Sequence, residues 1–482
     1  MHIPSEIWDL LQTCPEPVTA FVAKLLSDKE QLEQENARLR AQINQNSSNS
    51  HIPPSKNIFK KITSLRPKTG RKPGGQPGHK GSTLHRSEKP NVIIEHKANT
   101  CKHCHATIPD DAPVIDYKYR QEVEIEIRRV TKEHRRCVVI CLNCGKKAKG
   151  AFPKSVKHYV QYGPLYKALM LYLNQGNFVP FDRLAKFSRD ALHIPASAGT
   201  LARFARQAGS NLAQSVKFIR EQIIKASILY CDETGTRVAG KLRWRLTAGT
   251  DRFSYLFTHK KRGKEAMDAM GVLPNFTGIA MHDCLKSYFL FLCCLHALCN
   301  AHLLRELLGI EENDHQVWPQ KMKAVLIAAK KLRDTSAIWP LPRDALETLS
   351  RRYDKAIMLG LLENPDQKQN PDAPKKRGRP ALSKSRNLIN RMKKYKDNIL
   401  MFLFVRECDF DNNKAERDLR MSKIQQKVSG CFRSEEGCMA FDNYYSYIAT
   451  ARKQKISAYD ATLALTSGHP LFTHPPSDSS PE

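Results

Sequence analysis

Two acidic residues stand where chemistry could use them. Asp232 closes the apolar run Ile228-Leu229-Tyr230-Cys231, and Asp283 comes just after Gly278-Ile279-Ala280-Met281. Short runs of this kind read as strands. Carboxylates at the ends of neighbouring strands can converge although 51 residues separate them. With a third acid from a packed helix they would form a hard, oxygen-rich cage for Mg2+ or Mn2+. Phosphoryl transfer needs such a cage: two ions about 3.5–4 Å apart activate the attacking oxygen and stabilise the leaving one. An Asp at a strand end is also a common cap or turn residue, so the pattern alone leaves both readings open.

The cysteines offer a second chemistry. Cys101-x2-Cys104 and Cys141-x2-Cys144 are separated by 36 residues that alternate like a hairpin, with Val123, Ile125 and Ile127, then Val138 and Ile140. Knuckles at both ends of a hairpin would bring four thiolates to a structural Zn2+. His103, His105, His134 and Cys137 are alternative donors, more simply read as ordinary polar or packed residues. A closed four-thiolate set leaves no open position for water, which weighs against a zinc-dependent hydrolase. The 14 cysteines of a 482-residue chain without a leader-like N-terminus suit thiols or metal ligands in a reducing compartment. Cys299-x2-His302 has metal-like spacing too, with Cys293, Cys294 and His296 nearby. A packing or hydrogen-bonding role for His302 near the acids is preferred, with a second zinc site as the minor reading. Cys293 and Cys294 lie in an apolar run, where cysteine behaves as a small hydrophobe.

The elements that must position these groups follow from periodicity. Residues 221–309 hold strands at 228–231, 242–246, 253–257 and 278–281, and helices at 263–270 and 296–308. Residues 310–372 are helical, a second basic stretch begins at Lys375-Lys376-Arg377-Gly378-Arg379-Pro380, 398–407 are apolar, and the helical signal returns from Asn412. Residues 156–220 are helical. The segments Asp182–Arg189 and Ala198–Ala208 flank His193-Ile194-Pro195 in a loose likeness of a helix-turn-helix, for which packing is the simpler role. Residues 91–155 form the cysteine module, and 467–482 a Pro/Ser-rich, disordered tail. Within 1–50, Val18, Leu25, Leu32 and Leu39 occupy d positions of a coiled coil, with Val22, Lys29, Asn36 and Ile43 at a. Glu35 can meet Arg40 of a second helix, whereas Asp28 would repel Glu33, and a lone amphipathic helix is the competing reading.

Charge narrows the partner. Lys and Arg number 78 against 48 Asp and Glu, a net charge of +30, which points to a polyanion such as DNA or RNA. Residues 51–90 hold ten basic and one acidic residue, 118–160 twelve and four, and 375–433 seventeen and six. The first window, rich in Gly and Pro, is an arm that cannot bury a core and would order only on phosphates; Arg71, Lys72 and Lys80 are its candidate contacts. Arg128, Arg129, Arg135 and Arg136 do the same for the cysteine module. The longest apolar run, Tyr288 to Cys299, is too short to span a bilayer, so no membrane association is expected.

At this point the motifs resemble those of the insertion-sequence-66 type of DDE transposases. The likeness is carried by Asp232-Glu233-Thr234-Gly235-Thr236-Arg237-Val238 with Gly240-Lys241-Leu242-Arg243-Trp244, by His282-Asp283-x3-Ser287-Tyr288, and by Cys299-Asn300-Ala301-His302-Leu303-Leu304-Arg305-Glu306-Leu307. It continues in Asn412-Asn413-Lys414-Ala415-Glu416-Arg417-Asp418-Leu419-Arg420, Lys427-Val428-Ser429-Gly430-Cys431-Phe432-Arg433 and Thr450-Ala451-Arg452-Lys453-Gln454. It extends to Pro73-Gly74-Gly75-Gln76-Pro77-Gly78-His79-Lys80-Gly81 and the paired CxxC motifs.

The resemblance implies a multidomain α+β protein: an N-terminal coiled coil, a zinc-ribbon-like module, a helical domain and an RNase H-like α/β catalytic core, whose first part at 221–309 and second part at 396–466 are separated by a helical insertion with its basic stretch at 310–395. It implies Asp232, Asp283 and Glu416 as the triad; Glu233, Asp409, Asp411 and Asp418 compete for the third place on composition alone. Asn412 and Asn413, one turn before Glu416, and Arg420, one turn after, give that helix a polar face. The implied activity is Mg2+- or Mn2+-dependent cleavage at the ends of the protein's own element, followed by attack of the freed 3′-hydroxyl on target DNA. Arg420, Lys423, Lys427 and Arg433 would meet flanking phosphates. Two or more copies would assemble on double-stranded DNA, with accessory proteins of the same element as candidate partners, in a bacterial cytoplasm at the nucleoid. The rival is a catalytically silent DNA-binding derivative of a transposase, which would have no physical reason to keep three acids in place.

Overall fold

The computed structural model describes residues 15–45, 49–50, 78, 84–365 and 382–473. The chain divides into two compact units, one of residues 64–134 and one of residues 1–63 with 135–482. Most of the basic arm, including Arg71, Lys72 and Lys80, and the basic stretch 375–380 lie outside the described residues.

In the larger unit, helix α1 (Glu16–Asn44) leaves Val18, Phe21, Leu25, Leu32, Leu39 and Ile43 exposed. Glu35 pairs with Arg38 of the same helix at 2.6 Å. A small antiparallel ribbon follows, β1 (Val138–Ile140) with β2 (Lys147–Lys149). The expected hairpin therefore closes around the second CxxC pair, and residues 123–127, despite their alternation, form no strand. Helices α2 (Pro164–Leu171), α3 (Phe181–Asp190), α4 (Ala198–Asn211) and α5 (Ala213–Ile224) come next. Pro164 starts α2, and Ser197 caps α4 by accepting the Thr200 N–H at 3.1 Å.

A five-stranded mixed sheet centres this unit: β3 (Ile228–Val238), β4 (Lys241–Gly249), β5 (Ser254–His259), β6 (Ile279–His282) and β7 (Leu295–Leu298), with helix α6 (Lys264–Met270) between β5 and β6. Their order across the sheet is β5-β4-β3-β6-β7. The first three strands form an antiparallel meander, while β6 and β7 run parallel to β3. Strand β3 is longer than its apolar run, because its second half pairs with β4 up to the two-residue turn Ala239-Gly240. Both turn residues have positive φ, 48° and 76°, as such hairpins favour. Asp232 thus lies inside a strand rather than at its end.

Strand β7 corrects the helix expected at 296–308: helix α7 begins only at Asn300 and runs to Asp314. A four-residue apolar run buried in parallel pairing has no period that separates strand from helix. Helices α8 (Trp318–Thr335), α9 (Arg343–Glu363) and α10 (Lys384–Lys394) make up the region between the two halves of the core. The chain then returns through α11 (Lys396–Leu400), α12 (Asn413–Ser429), α13 (Glu435–Lys453) and α14 (Ala458–Thr466). Past Ser467, where the sequence predicts a disordered tail, Leu471 and Phe472 still pack: the Ser215 hydroxyl donates to the Leu471 carbonyl at 2.6 Å, and Phe472 meets the Tyr447 ring.

Alternation along the central strands divides two apolar cores. Leu229, Cys231 and Ala280 face a cluster with Leu201, Phe204 and Ile219 from α4 and α5 and Phe441, Tyr444 and Ile448 from α13. Ile228, Tyr230, Ile279 and Met281 face the opposite cluster, with Leu303, Leu307, Trp318 and Tyr353 from α7, α8 and α9. The sheet is covered on both faces, which accounts for the near-continuous apolar character of its parallel strands. Helices α4 and α13 cross so closely that a Cβ on Gly209 would lie 2.5 Å from the Ala440 Cα. Among the described residues, no helix is long and apolar enough to cross a membrane.

Candidate active site

The sheet itself brings the first two acids level. Tyr230 pairs with Met281 across the parallel β3–β6 ladder. Two residues further along each strand direction stand Asp232 and Asp283, on neighbouring paths spaced about 4.8 Å apart. Asp232 continues the face of Ile228 and Tyr230, which looks toward α7 and α12. The Asp283 carboxylate accepts the Leu285 N–H at 3.1 Å, fixing the turn that leaves β6. Beneath it His282 is fully buried, stacked 4.3 Å from the Tyr288 ring and bonded at 3.0 Å to His296. Burial holds His282 down at about 3, so this pair is neutral support rather than a source of charge.

Glu416 arrives from the first turn of α12. Its Oε1 is buried and accepts no hydrogen bond. His302 Nε2 at 3.7 Å and an Arg305 nitrogen at 3.6 Å, both from α7, stand beside the carboxylate but beyond good hydrogen-bond distance. The electrostatics tie the three acids together. The Asp232 carboxyl is pushed well above the usual carboxylate range, first by burial and then by the negative charges of Asp283, Glu416 and Glu233, against the pull of the Glu233 N–H. Hard oxygen donors from three elements, the charges raising Asp232 and an orphaned buried acceptor on Glu416 fit a divalent cation of the Mg2+ or Mn2+ type.

The competing acids have partners of another kind. Asp409 accepts the Tyr230 hydroxyl and pairs with Lys414, both at 2.8 Å. Asp418 holds Lys453 at 2.8 Å and the Ser254 hydroxyl at 2.7 Å. Asp411 accepts the Asn413 N–H at 3.1 Å, a local turn contact before α12. Glu233 pairs with Arg262, whose guanidinium lies 4.5 Å over the Trp244 ring. Arg262 and Arg305 were not legible as site features; only their proximity in space shows them.

Cys299, His302 and Glu416 do meet, with one donor atom from each within 4.8 Å of the others. The Cys299 sulfur, however, accepts the Asn412 N–H at 3.1 Å, and burial pushes the thiol up to about 12. The sulfur's engagement with the Asn412 N–H supports a hydrogen-bonding role for this segment.

Basic residues surround the far end of α12. Arg420, Lys427 and Arg433 are exposed, whereas Lys423 is half-buried and its amine donates to the Gly235 carbonyl. Arg128 and Arg129 are exposed in the smaller unit, Arg135 and Arg136 in the larger. The two CxxC pairs likewise fall in different units, and their local geometry is the same. Cys101 donates its N–H to Ala106 and accepts that of His105; Cys141 does so with Lys146 and Gly145. His105 and Gly145 both have positive φ, 59° and 66°. In each turn, N–H groups directed at the first sulfur hold that thiol below its usual range.

Comparison with curated proteins gives no match. The family model described as Transposase IS66 family matches residues 159–440, more than half of the chain and every acid of the cluster. The chain therefore belongs to the IS66 family of transposases.

Proposed function

We propose that this transposase cuts and joins DNA at the ends of its own element, with Asp232, Asp283 and Glu416 holding Mg2+ or Mn2+. The observation that carries the reading is the charge-repelling convergence of these acids from β3, the end of β6 and α12. Bound there, the cations would make water a competent nucleophile near neutral pH and neutralise charge gathering on the phosphate. In the first step water attacks phosphorus in line, a new O–P bond forms, and the strand's 3′-oxygen leaves and takes up a proton. In the second, that 3′-hydroxyl attacks a target phosphate and a target 3′-oxygen leaves. Neither step requires a Ser or Tyr nucleophile. The central strand β3 and the end of its neighbour β6 fix two of the acids, while exposed Arg420, Lys427 and Arg433 are placed to meet flanking phosphates.

The five-stranded order, with an antiparallel meander followed by parallel strands, supports an RNase H-like core, and helices α8 to α10 would be its insertion. Each CxxC turn, taken by itself, has the local form of a thiolate pair, which supports zinc binding; zinc analysis of protein purified under reducing conditions should find the metal, and a metal-free result refutes the assignment. The exposed heptad stripe of α1 supports pairing of two copies, so that two element ends can be held together.

The test is incubation of the protein with Mg2+ and DNA carrying the element's ends, beside the Asp232→Asn variant. Cleavage by the wild type alone is expected, with both proteins binding the DNA. Binding without cleavage by either, once companion proteins of the element are supplied, contradicts the enzyme reading and leaves a silent DNA-binding protein.

A further inference from the structure

Of the three acids, Glu416 is the one that the sheet does not carry. Its helix lies 133 residues beyond Asp283 in the chain, so the register of α12 against β3 must be set by contacts of its own. Lys414 and Lys423 reach Tyr230 and Gly235 of β3 from the helix itself, and at its start stands Asn412, which is 1% exposed. Its side-chain Nδ2 donates to the Cys231 carbonyl at 2.6 Å, on the residue next to Asp232. Its backbone N–H donates to the Cys299 sulfur at 3.1 Å, and its carbonyl accepts the Glu416 N–H at 3.2 Å. Fully buried Asn300 secures the preceding segment, donating its side-chain amide to Ile399 at 3.0 Å and to Phe410 at 3.2 Å.

The side chain of Asn412 forgoes the usual task of its position. An Asn at a helix N-cap normally accepts an N–H of the first turn through Oδ1. Here no side-chain cap is made, and Oδ1 is buried without a hydrogen-bond partner. The Cys231 carbonyl only accepts, so the amide must present Nδ2 to it, and the orientation is fixed. Capping strength has been given up for a tie to the strand beside Asp232.

We propose that Asn412, held between the Cys231 carbonyl and the Cys299 sulfur, is a positioning residue that sets Glu416 against Asp232 for the divalent cation. The proposal rests on the metal-holding reading above. It gives the Cys-x2-His segment its use: Cys299 fixes the start of the helix, and His302 lies beside the carboxylate so positioned.

Mn2+ alone is the probe, titrated into the full chain and followed by the paramagnetic resonance of the free ion, with thermal unfolding recorded in parallel. Asn412→Ser keeps a capping residue but cannot reach the Cys231 carbonyl, and Cys299→Ala removes the acceptor. Each is expected to weaken Mn2+ binding about tenfold while the unfolded fraction at the assay temperature stays negligible. Cys299→Ser restores an acceptor and should recover affinity to within about threefold of wild type. If Asn412→Ser does not fold, the Cys299→Ala and Cys299→Ser pair carries the test. Wild-type Mn2+ affinity in Cys299→Ala, or no recovery in Cys299→Ser, overturns the proposal. So does a zinc ion in the purified wild type that is lost only in Cys299→Ala, which would make the cluster a metal site. Asp232→Asn is the separate control: if it binds Mn2+ like wild type, the metal-holding reading itself fails, whatever the clamp variants do.

Discussion

Asp442, buried, and Asp232, half-buried, are aspartates against the same sheet, and desolvation raises both carboxyls. Asp442 has its counter-charge. Arg245, itself without exposed surface, reaches it at 2.7 Å and lies about 5 Å from the rings of Phe432 and Phe441. Asp232 instead meets Asp283, Glu416 and Glu233, all of which push its carboxyl the same way. A buried acid paired with a cation is costly to unpair; a desolvated acid among acids costs stability and is kept for what it binds. Asp409 and Asp418 fall on the Asp442 side of this line, since lysines hold both at 2.8 Å.

The contrast can be broken most forcefully at Glu416. Glu416→Gln is expected to lower the strand-cleavage rate by about 10³-fold or more, several kcal/mol of lost charge stabilisation, with folding intact. Undiminished cleavage by this variant would remove Glu416 from the site. Asp442→Ala is expected to do the reverse, costing about 3–5 kcal/mol of stability because Arg245 is left buried without its partner. Denaturant unfolding measures this, and a loss below 1 kcal/mol would deny the pair its structural role. Asp418→Asn, which weakens the contact with Lys453 and Ser254, should cost about 1–2 kcal/mol and leave the cleavage rate of the folded fraction near wild type.

The smallest effect has the opposite sign. Asp232→Asn should stabilise the protein by about 1 kcal/mol at pH 7 when divalent ions are chelated. The folded state favours protonated Asp232, so the wild type carries no penalty below the unfolded carboxylate value near ~3.9. The penalty is complete once pH has risen through the raised folded value. The advantage of Asp232→Asn therefore fades as pH falls toward 4, and added Mg2+ should raise the unfolding midpoint of the wild type but not of the variant. An advantage that grows on acidification would contradict the charge repulsion.

This distinction also marks what the sequence could show. Asp232 and Asp283 follow apolar runs whose strand character is local, and so were readable from spacing. Glu416 was legible only through resemblance, because nothing within its own helix separates it from Asp418 two residues on. The difference lies in what the fold brings to each: Ser254 and Lys453 reach Asp418, while Glu416 stands beside His302 and Arg305 of α7. Strand β7 was misread as the start of α7 because Leu295-His296-Ala297-Leu298 owes its conformation to pairing with β6, a contact that short apolar runs do not announce. The hairpin expected between the CxxC pairs failed for a related reason: alternation at 123–127 is necessary for a half-buried strand but finds no partner there, whereas Val138–Ile140 pairs with Lys147–Lys149 across the second knuckle. In the sequence Asn412 reads only as part of a polar helix face, and its tie to the Cys231 carbonyl shows only in three dimensions.

The central claim, that the three carboxylates present a divalent cation to the DNA phosphate, is tested most directly by a sulfur substitution at the cleaved phosphate. Element-end DNA carrying sulfur in place of one or the other non-bridging oxygen is cut in Mg2+ or in Mn2+. Sulfur binds Mg2+ poorly and softer Mn2+ better. One of the two sulfur isomers should be cut far more slowly than ordinary DNA in Mg2+ and recover in Mn2+. Equal cleavage of both isomers and ordinary DNA in Mg2+, with no change in Mn2+, would contradict a cation held between these acids and the phosphate.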